Sequence, residues 1–208
     1  MTGKDDRPLV EAVFENSEVA IDQLVDSEVL KEIPVVGTAV KVCKALDTIR
    51  DRAFAAKMQR FLFGVGTNDP RVRDKWRKKV HQSSDDAKRI GETLFFILER
   101  LTDLKKCEIV AFLFTAFVDD VIDTATLCRL VQAVDMAYLD DLEDLIEVHR
   151  PPEKCKEAWA RQLAPSGLTE IVVGMRFSDA GELSFQISKS GHAFRNAIFH
   201  GRKSRTGG

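Results

Sequence analysis

Little in this 208-residue chain announces chemistry. Its four cysteines, Cys43, Cys107, Cys128 and Cys155, stand far apart and form no CxxC pair. That removes the usual signature of a paired-cysteine metal or redox site and predicts buried free thiols in a reducing compartment. No Walker A, GxGxxG, GxSxG or HExxH sequence occurs, so nucleotide, dinucleotide, serine-hydrolase and zinc-protease signatures are all missing. The four histidines assemble nothing: His192 and His200 lie eight apart with no cysteine or carboxylate at ligand spacing, while His81 and His149 sit at segment ends. The expectation is a non-catalytic protein with no cofactor and no metal.

Long apolar runs are also absent. The longest, Ile109 to Val118, is broken only by Thr115 and has about half the roughly 20 residues that a spanning helix needs. It reads as a central core helix, apolar on every side. The opening residues MTGKDDRPLVEAVFENSE are charged and have no apolar secretory core, so the expected location is cytoplasmic.

Net charge is only −2, which gives no global attraction to nucleic acid or anionic lipid. Its distribution is uneven. Residues 70–101 carry 9 basic and 5 acidic groups, residues 102–149 carry 3 and 11, and residues 150–208 carry 10 and 5. An acidic middle between basic segments predicts either mutual neutralisation or separate faces for separate partners.

The remaining composition, 44% hydrophobic and 31% charged, is that of an ordinary globular chain. Helical periodicity dominates its first three quarters. An amphipathic helix is expected from Pro8 to about Leu30, with Pro34 and Gly37 punctuating the chain after it. A second runs to about Phe63, with Ala39, Val42, Leu46, Ile49, Ala53 and Ala56 forming a seam at alternating steps of three and four. A third spans Arg71 to about Leu101, with Ser83, Ser84, Asp85 and Asp86 as a potential interruption. The apolar run forms the fourth. A fifth begins at Asp123 or Thr124 and buries Leu127, Leu130, Val131, Val134, Tyr138, Leu142 and Leu145. The expected fold is mainly α: an antiparallel bundle of about five helices over residues 1–148.

After His149-Arg150-Pro151-Pro152 the character changes. A short helix from Pro152 or Glu153 to Leu163 precedes two period-two segments, Ile171–Phe177 and Leu183–Ile187, separated by the turn residues Ser178-Asp179-Ala180-Gly181; this predicts a hairpin. A final helix carries Ala193, Phe194, Ala197 and Ile198, and residues 201–208 read as a disordered basic tail. The order of short helix, Ser166-Gly167-Leu168, hairpin, Ile187-Ser188-Lys189-Ser190-Gly191 and last helix resembles the second half of a winged-helix module over roughly residues 140–200. The resemblance implies a small α/β appendage over 149–200, with a helix and a wing that contact DNA or a protein.

Three surfaces are candidates for binding. Ile33, Val35, Val36, Val40, Phe61, Leu62 and Phe63 bracket an amphipathic segment that could meet a partner or a membrane interface without crossing it. Arg71, Arg73, Lys75, Arg77, Lys78 and Lys79 surround Trp76, whose indole could stack on a base; Lys154, Lys156 and Arg161 on the winged-helix-like segment would extend that nucleic-acid surface. Against this stands pairing of the basic run with the acidic residues Asp140, Asp141, Glu143, Asp144 and Glu147.

Asp119, Asp120 and Asp123 lack EF-hand spacing and read as a capped turn. With the DLEDL segment after Tyr138 they resemble TerB-like helical domains, which implies a bacterial stress- or defence-system accessory and carries over no metal site. The leading expectation is a binding or regulatory protein acting through a protein partner or self-association, with nucleic-acid binding and membrane activity as alternatives.

Overall fold

The computed structural model describes residues 49–66, 69–149, 155–172 and 183–206. The described residues are mainly helical, with eight α-helices, one 3-10 turn and a two-stranded antiparallel sheet. The described residues fall into two compact units, up to Cys107 and from Glu108 onward. The boundary expected near residue 148 therefore lies inside the second unit, because the last helix binds the segment ending there. The predicted helix over 8–30 and the Pro34–Gly37 punctuation lie outside the described residues.

In the first unit, α1 (Ile49–Val65) buries Phe54, Met58, Phe61 and Val65 along one stripe, with Ala55 and Leu62 beside it. It ends at Gly66, whose φ of 77° is the left-handed conformation that glycine adopts without a Cβ penalty. α2 (Pro70–Gln82) starts with proline in its first turn and Asp69 as cap, the carboxylate accepting from the Arg71 N–H at 2.8 Å. Ser83 closes α2 and opens α3 (Ser84–Arg100), its hydroxyl accepting from the Asp86 N–H at 3.2 Å. The long third helix expected from sequence is thus two helices, divided where cap-forming residues cluster. α3 buries Ala87, Ile90, Leu94, Ile97 and Leu98, the three-and-four stripe of an amphipathic helix. Lys57 reaches from α1 to donate to the Glu99 carbonyl at 2.6 Å, placing a cation at the electronegative end of α3.

α4 (Leu104–Val118) contains the unit boundary. Val110, Ala111, Leu113, Phe114 and Ala116 are all buried, as expected of a core helix apolar all round. Thr115, its one interior hydroxyl, donates to the Ala111 carbonyl, so no polar group is left unsatisfied there. The described cysteines, Cys107, Cys128 and Cys155, are buried and free. Burial is the chief reason that the Cys107 thiol is pushed up to about 12, which keeps it an inert core residue.

The second unit continues through a turn in which Asp120 takes a φ of 60°, tolerated because a short polar side chain suits the left-handed region. Asp123 caps α5 (Thr124–Met136), accepting from the Thr126 N–H at 2.7 Å. The expected single fifth helix breaks at Ala137 and Tyr138, both extended, and α6 (Leu139–Glu147) restarts beyond them. Tyr138, placed by periodicity in the buried stripe, is 75% exposed.

Cys155 bridges Phe185 through two backbone hydrogen bonds, so the described part of the helix expected from 152 or 153 to Leu163 is α7 (Ala158–Gln162); residues 152–154 lie outside the described residues. After the 3-10 turn Ala164–Ser166, β1 (Thr169–Val172) pairs with β2 (Ser184–Ile187), Thr169 opposite Ile187 and Val172 opposite Ser184. The expected turn at 178–181 lies outside the described residues. α8 (Lys189–Thr206) runs through most of the segment read as a disordered tail. Arg205 is ion-paired with Glu108, and Gly201 lies against the Phe112 backbone, so the basic residues there extend a docked helix. No described helix is long and apolar enough to cross a membrane.

Candidate interaction surface

The sequence-selected residues do not form one site. Ile33, Val35, Val36 and Val40 lie outside the described residues. Phe61 and Leu62 are buried, whereas Phe63 is 51% exposed; helical rotation turns the first two into the core of the first unit and the third to solvent. Only Phe63 of these three remains a surface candidate.

On α2, Arg71, Lys75 and Lys78 are exposed, Arg73, Arg77 and Lys79 are half-buried, and Trp76 is buried. The Trp76 ring stands edge-on to Phe61, with centroids 6.4 Å apart and planes at 79°, a favoured aromatic geometry. Base stacking by Trp76 is therefore corrected to core packing: its indole is 1% exposed and has no free face. Lys154 lies outside the described residues, while Lys156 and Arg161 are exposed. Arg161 sits on a five-residue helix, too short to carry a row of phosphate contacts.

His200 meets Asp119 at 2.9 Å, and the Ser204 hydroxyl lies 3.4 Å from the same His200 nitrogen, Nε2. Both contacts fall on one ring nitrogen, whereas a Ser–His–Asp relay requires the acid and the hydroxyl at opposite nitrogens. The arrangement fixes α8 to the end of α4. Among the described residues, no three His, Cys, Asp or Glu side chains come together to hold a metal ion.

The best-formed surface feature is the α5–α6 corner. Met136 is 64% exposed and Tyr138 75%, while Ala137 between them is buried. The buried alanine anchors the step and turns its two large neighbours outward. Asp140 and Asp141 follow in the first turn of α6, where the helix dipole favours negative charge. Asp144 and Glu147 continue the acidic side, with no basic residue in the last turn. Burial, followed by the charges of Asp144 and Asp140, raises the Asp141 carboxyl above its ordinary value, so these carboxylates repel one another.

What holds that acidic helix was missed by sequence reasoning. Arg195 of α8, itself buried, donates to the carbonyls of Leu145 and Val148 at the C-terminal end of α6. It supplies there the cation that the last turn lacks. Its guanidinium also lies 5.5 Å from the centre of the Phe199 ring, a cation–π distance. The available signal was a lone arginine between the apolar positions Phe194 and Ile198.

The Asp123 cap supplies a pH prediction. Hydrogen bonding by the Thr126 side chain and then by its backbone N–H holds the Asp123 carboxyl below its ordinary 3.8. A depressed folded-state value means stability that is present above the unfolded value and lost as pH falls through the folded one. Asp123→Ala should therefore lower the urea midpoint at neutral pH, and the difference from the wild type should narrow as pH falls through the folded value, because the part that depends on ionisation is lost while the neutral carboxyl can still cap. A midpoint difference unchanged by that fall in pH would contradict this.

Comparison with protein-family models, with curated proteins and with solved structures yields no match.

Proposed function

We propose that this chain is a non-catalytic binding or regulatory protein that works through protein contacts, with the α5–α6 corner as its partner surface. The observation that carries this reading is the outward placement of Met136 and Tyr138 on a fixed helical step. Exposed apolar anchors with a polar rim are how protein interfaces concentrate binding energy, and tyrosine is enriched among the residues that dominate it. The role implied by the TerB-like resemblance, a bacterial stress- or defence-system accessory, belongs to the same proposal. So does the winged-helix resemblance, supported by the order α7, β1, β2, α8.

The test is co-purification with the wild type and with a Met136→Ala/Tyr138→Ala variant of unchanged circular dichroism. The expected result is a partner recovered by the wild type and at least about tenfold less by the variant, since hot-spot truncations cost 2 kcal/mol or more. Equal recovery would refute the corner. A salt-sensitive DNA shift abolished by reversing Arg73, Arg77 and Lys78 to Glu would support the nucleic-acid alternative instead. Flotation with liposomes would support the membrane one.

A further inference from the structure

We propose that the α5–α6 corner receives a basic amphipathic helix of another protein, with its cations over the acidic row of α6 and an apolar side chain on Met136 and Tyr138. This rests on reading the corner as a partner surface and names the chemistry of the partner. Asp140, Asp144 and Glu147 are exposed and stand at i, i+4 and i+7 on α6, so they form one row along a helix face. The row has a single sign, because α6 contains no basic residue at all.

The described chain does not neutralise that row. Asp140, Asp144 and Glu147 make no hydrogen bond or ion pair to another described residue. Arg161 on α7, which packs against α6, and His149 just past α6 are exposed and pair with none of them. Arg195, the buried cation at α6, donates instead to the backbone carbonyls of Leu145 and Val148. Carboxylates a turn apart on one helix repel each other. The raised Asp141 carboxyl, due first to burial and then to Asp144 and Asp140, reports the same repulsion. A cationic row placed over these groups relieves it.

The apolar side of the corner narrows the partner further. Met136 and Tyr138 stand immediately before the acidic row, both exposed, and neither makes a hydrogen bond or ring contact to another described residue. A docked helix that carries a cation each turn spaces its charges by about 5–6 Å, as α6 spaces its carboxylates. Its apolar side chains supply what Met136 and Tyr138 lack, in the manner of helices that dock through an amphipathic face. The sign of the row disfavours nucleic acid and anionic lipid at this surface.

The experiment titrates three probes into the labelled full chain, followed by NMR at low and high salt. The first is a synthetic helical peptide with lysines at i, i+4, i+7 and i+11 flanked by leucines, the second its glutamate counterpart, and the third spermidine. Wild type is compared with Asp140→Asn/Asp144→Asn/Glu147→Gln and with Met136→Ala/Tyr138→Ala, each checked for unchanged circular dichroism. The lysine peptide should shift signals from Met136 to Glu147, and its affinity should fall as salt rises. Each variant should bind it at least about tenfold more weakly, one through lost charge and the other through lost anchors. The glutamate peptide should shift nothing. A lysine peptide that does not bind, or that binds the neutralised variant as well as the wild type, overturns the proposal. Spermidine binding as tightly as the lysine peptide also overturns it, because the corner would then attract cations without recognising a helix.

The underlying reading is judged separately by co-purification with Met136→Ala/Tyr138→Ala. If the lysine peptide fails but that variant loses a partner that the wild type recovers, the basic helix is wrong and the partner surface stands. If the peptide fails and recovery is equal, both fall.

Discussion

Gly191→Ala is expected to lower the stability of the C-terminal unit by about 3 kcal/mol or more, the range reached when overpacking meets unyielding atoms. Gly191 lies in the first turn of α8. A Cβ there would stand 2.1 Å from the Leu168 carbonyl oxygen and 2.6 Å from the Ile187 Cγ2. The first neighbour is backbone, and several bonds hold it. Leu168 accepts from the Ser188 N–H at 3.1 Å, Ser188 donates its hydroxyl to the Gly167 carbonyl at 2.6 Å, and the same hydroxyl accepts from the Gly191 N–H at 3.1 Å. Ser188 is thus both the cap of α8 and its tie to the chain before β1. Moving Leu168 aside to admit a methyl group disturbs the cap, the tie and the strand pairing together.

The measurement is urea unfolding followed on the two indole resonances. Trp76 reports on the first unit and Trp159 on the second, so the loss should fall on the Trp159 signal. A wild-type midpoint in the variant would show that the close approach of Gly191 and Leu168 is not a constraint.

Arg195→Met is expected to cost about 3 kcal/mol, because hydrogen bonds to a charged group are worth roughly 1.5–3 kcal/mol and two carbonyls lose their donor. Arg195 is 8% exposed, and burial pushes its guanidinium below its ordinary value. Desolvating a cation is unfavourable by itself. The arrangement persists because the carbonyls of Leu145 and Val148 end α6, where the helix dipole favours positive charge. Methionine keeps much of the apolar volume and removes every donor, so the substitution isolates the polar role from packing. Arg195→Lys should recover only part of the loss, since one ammonium lacks the fork that reaches two carbonyls. A methionine variant as stable as the wild type would reduce Arg195 to a packing residue.

If the corner binds a partner, Arg195→Met should also weaken that binding, because the acidic row sits on the helix that Arg195 secures. That effect separates support of α6 from direct contact: Tyr138→Ala should reduce binding without moving the unfolding midpoint, whereas Arg195→Met should move both.

Several elements were legible from residues alone. The α3 stripe from Ala87 to Leu98 follows from apolar spacing, and the all-round apolar α4 follows from composition. The caps at Ser83 and Asp123 follow from residue type and position. These succeed because they depend on local geometry, which a short window of sequence contains. An antiparallel pair was expected from the switch to period two, but β1 begins at Thr169, two residues before the expected Ile171, and the rest of the expected strand lies outside the described residues.

The tertiary structure decided the rest. Nothing local marks the break at Ala137 and Tyr138: no glycine or proline stands there, and the apolar spacing runs through it. The chain bends so that Leu142, Leu145 and Ile146 are buried on a new axis, which turns Tyr138 outward. Trp76 reads as a basic-face residue by composition and becomes core because Phe61 lies beside it. The segment from Gly201 reads as a tail by its glycine and basic content and becomes helix because Gly201 permits contact with the Phe112 backbone.

The two short motifs around Ser166-Gly167-Leu168 and Ser188-Lys189-Ser190-Gly191 were visible separately in the sequence. That they meet, through Ser188 and Gly191, was not. Residue type and spacing determine which segments are helical or extended and where they start. Which face becomes core, which glycine is indispensable and which side chains stay outside depend on neighbours distant in the chain, because burial is a property of the packed unit.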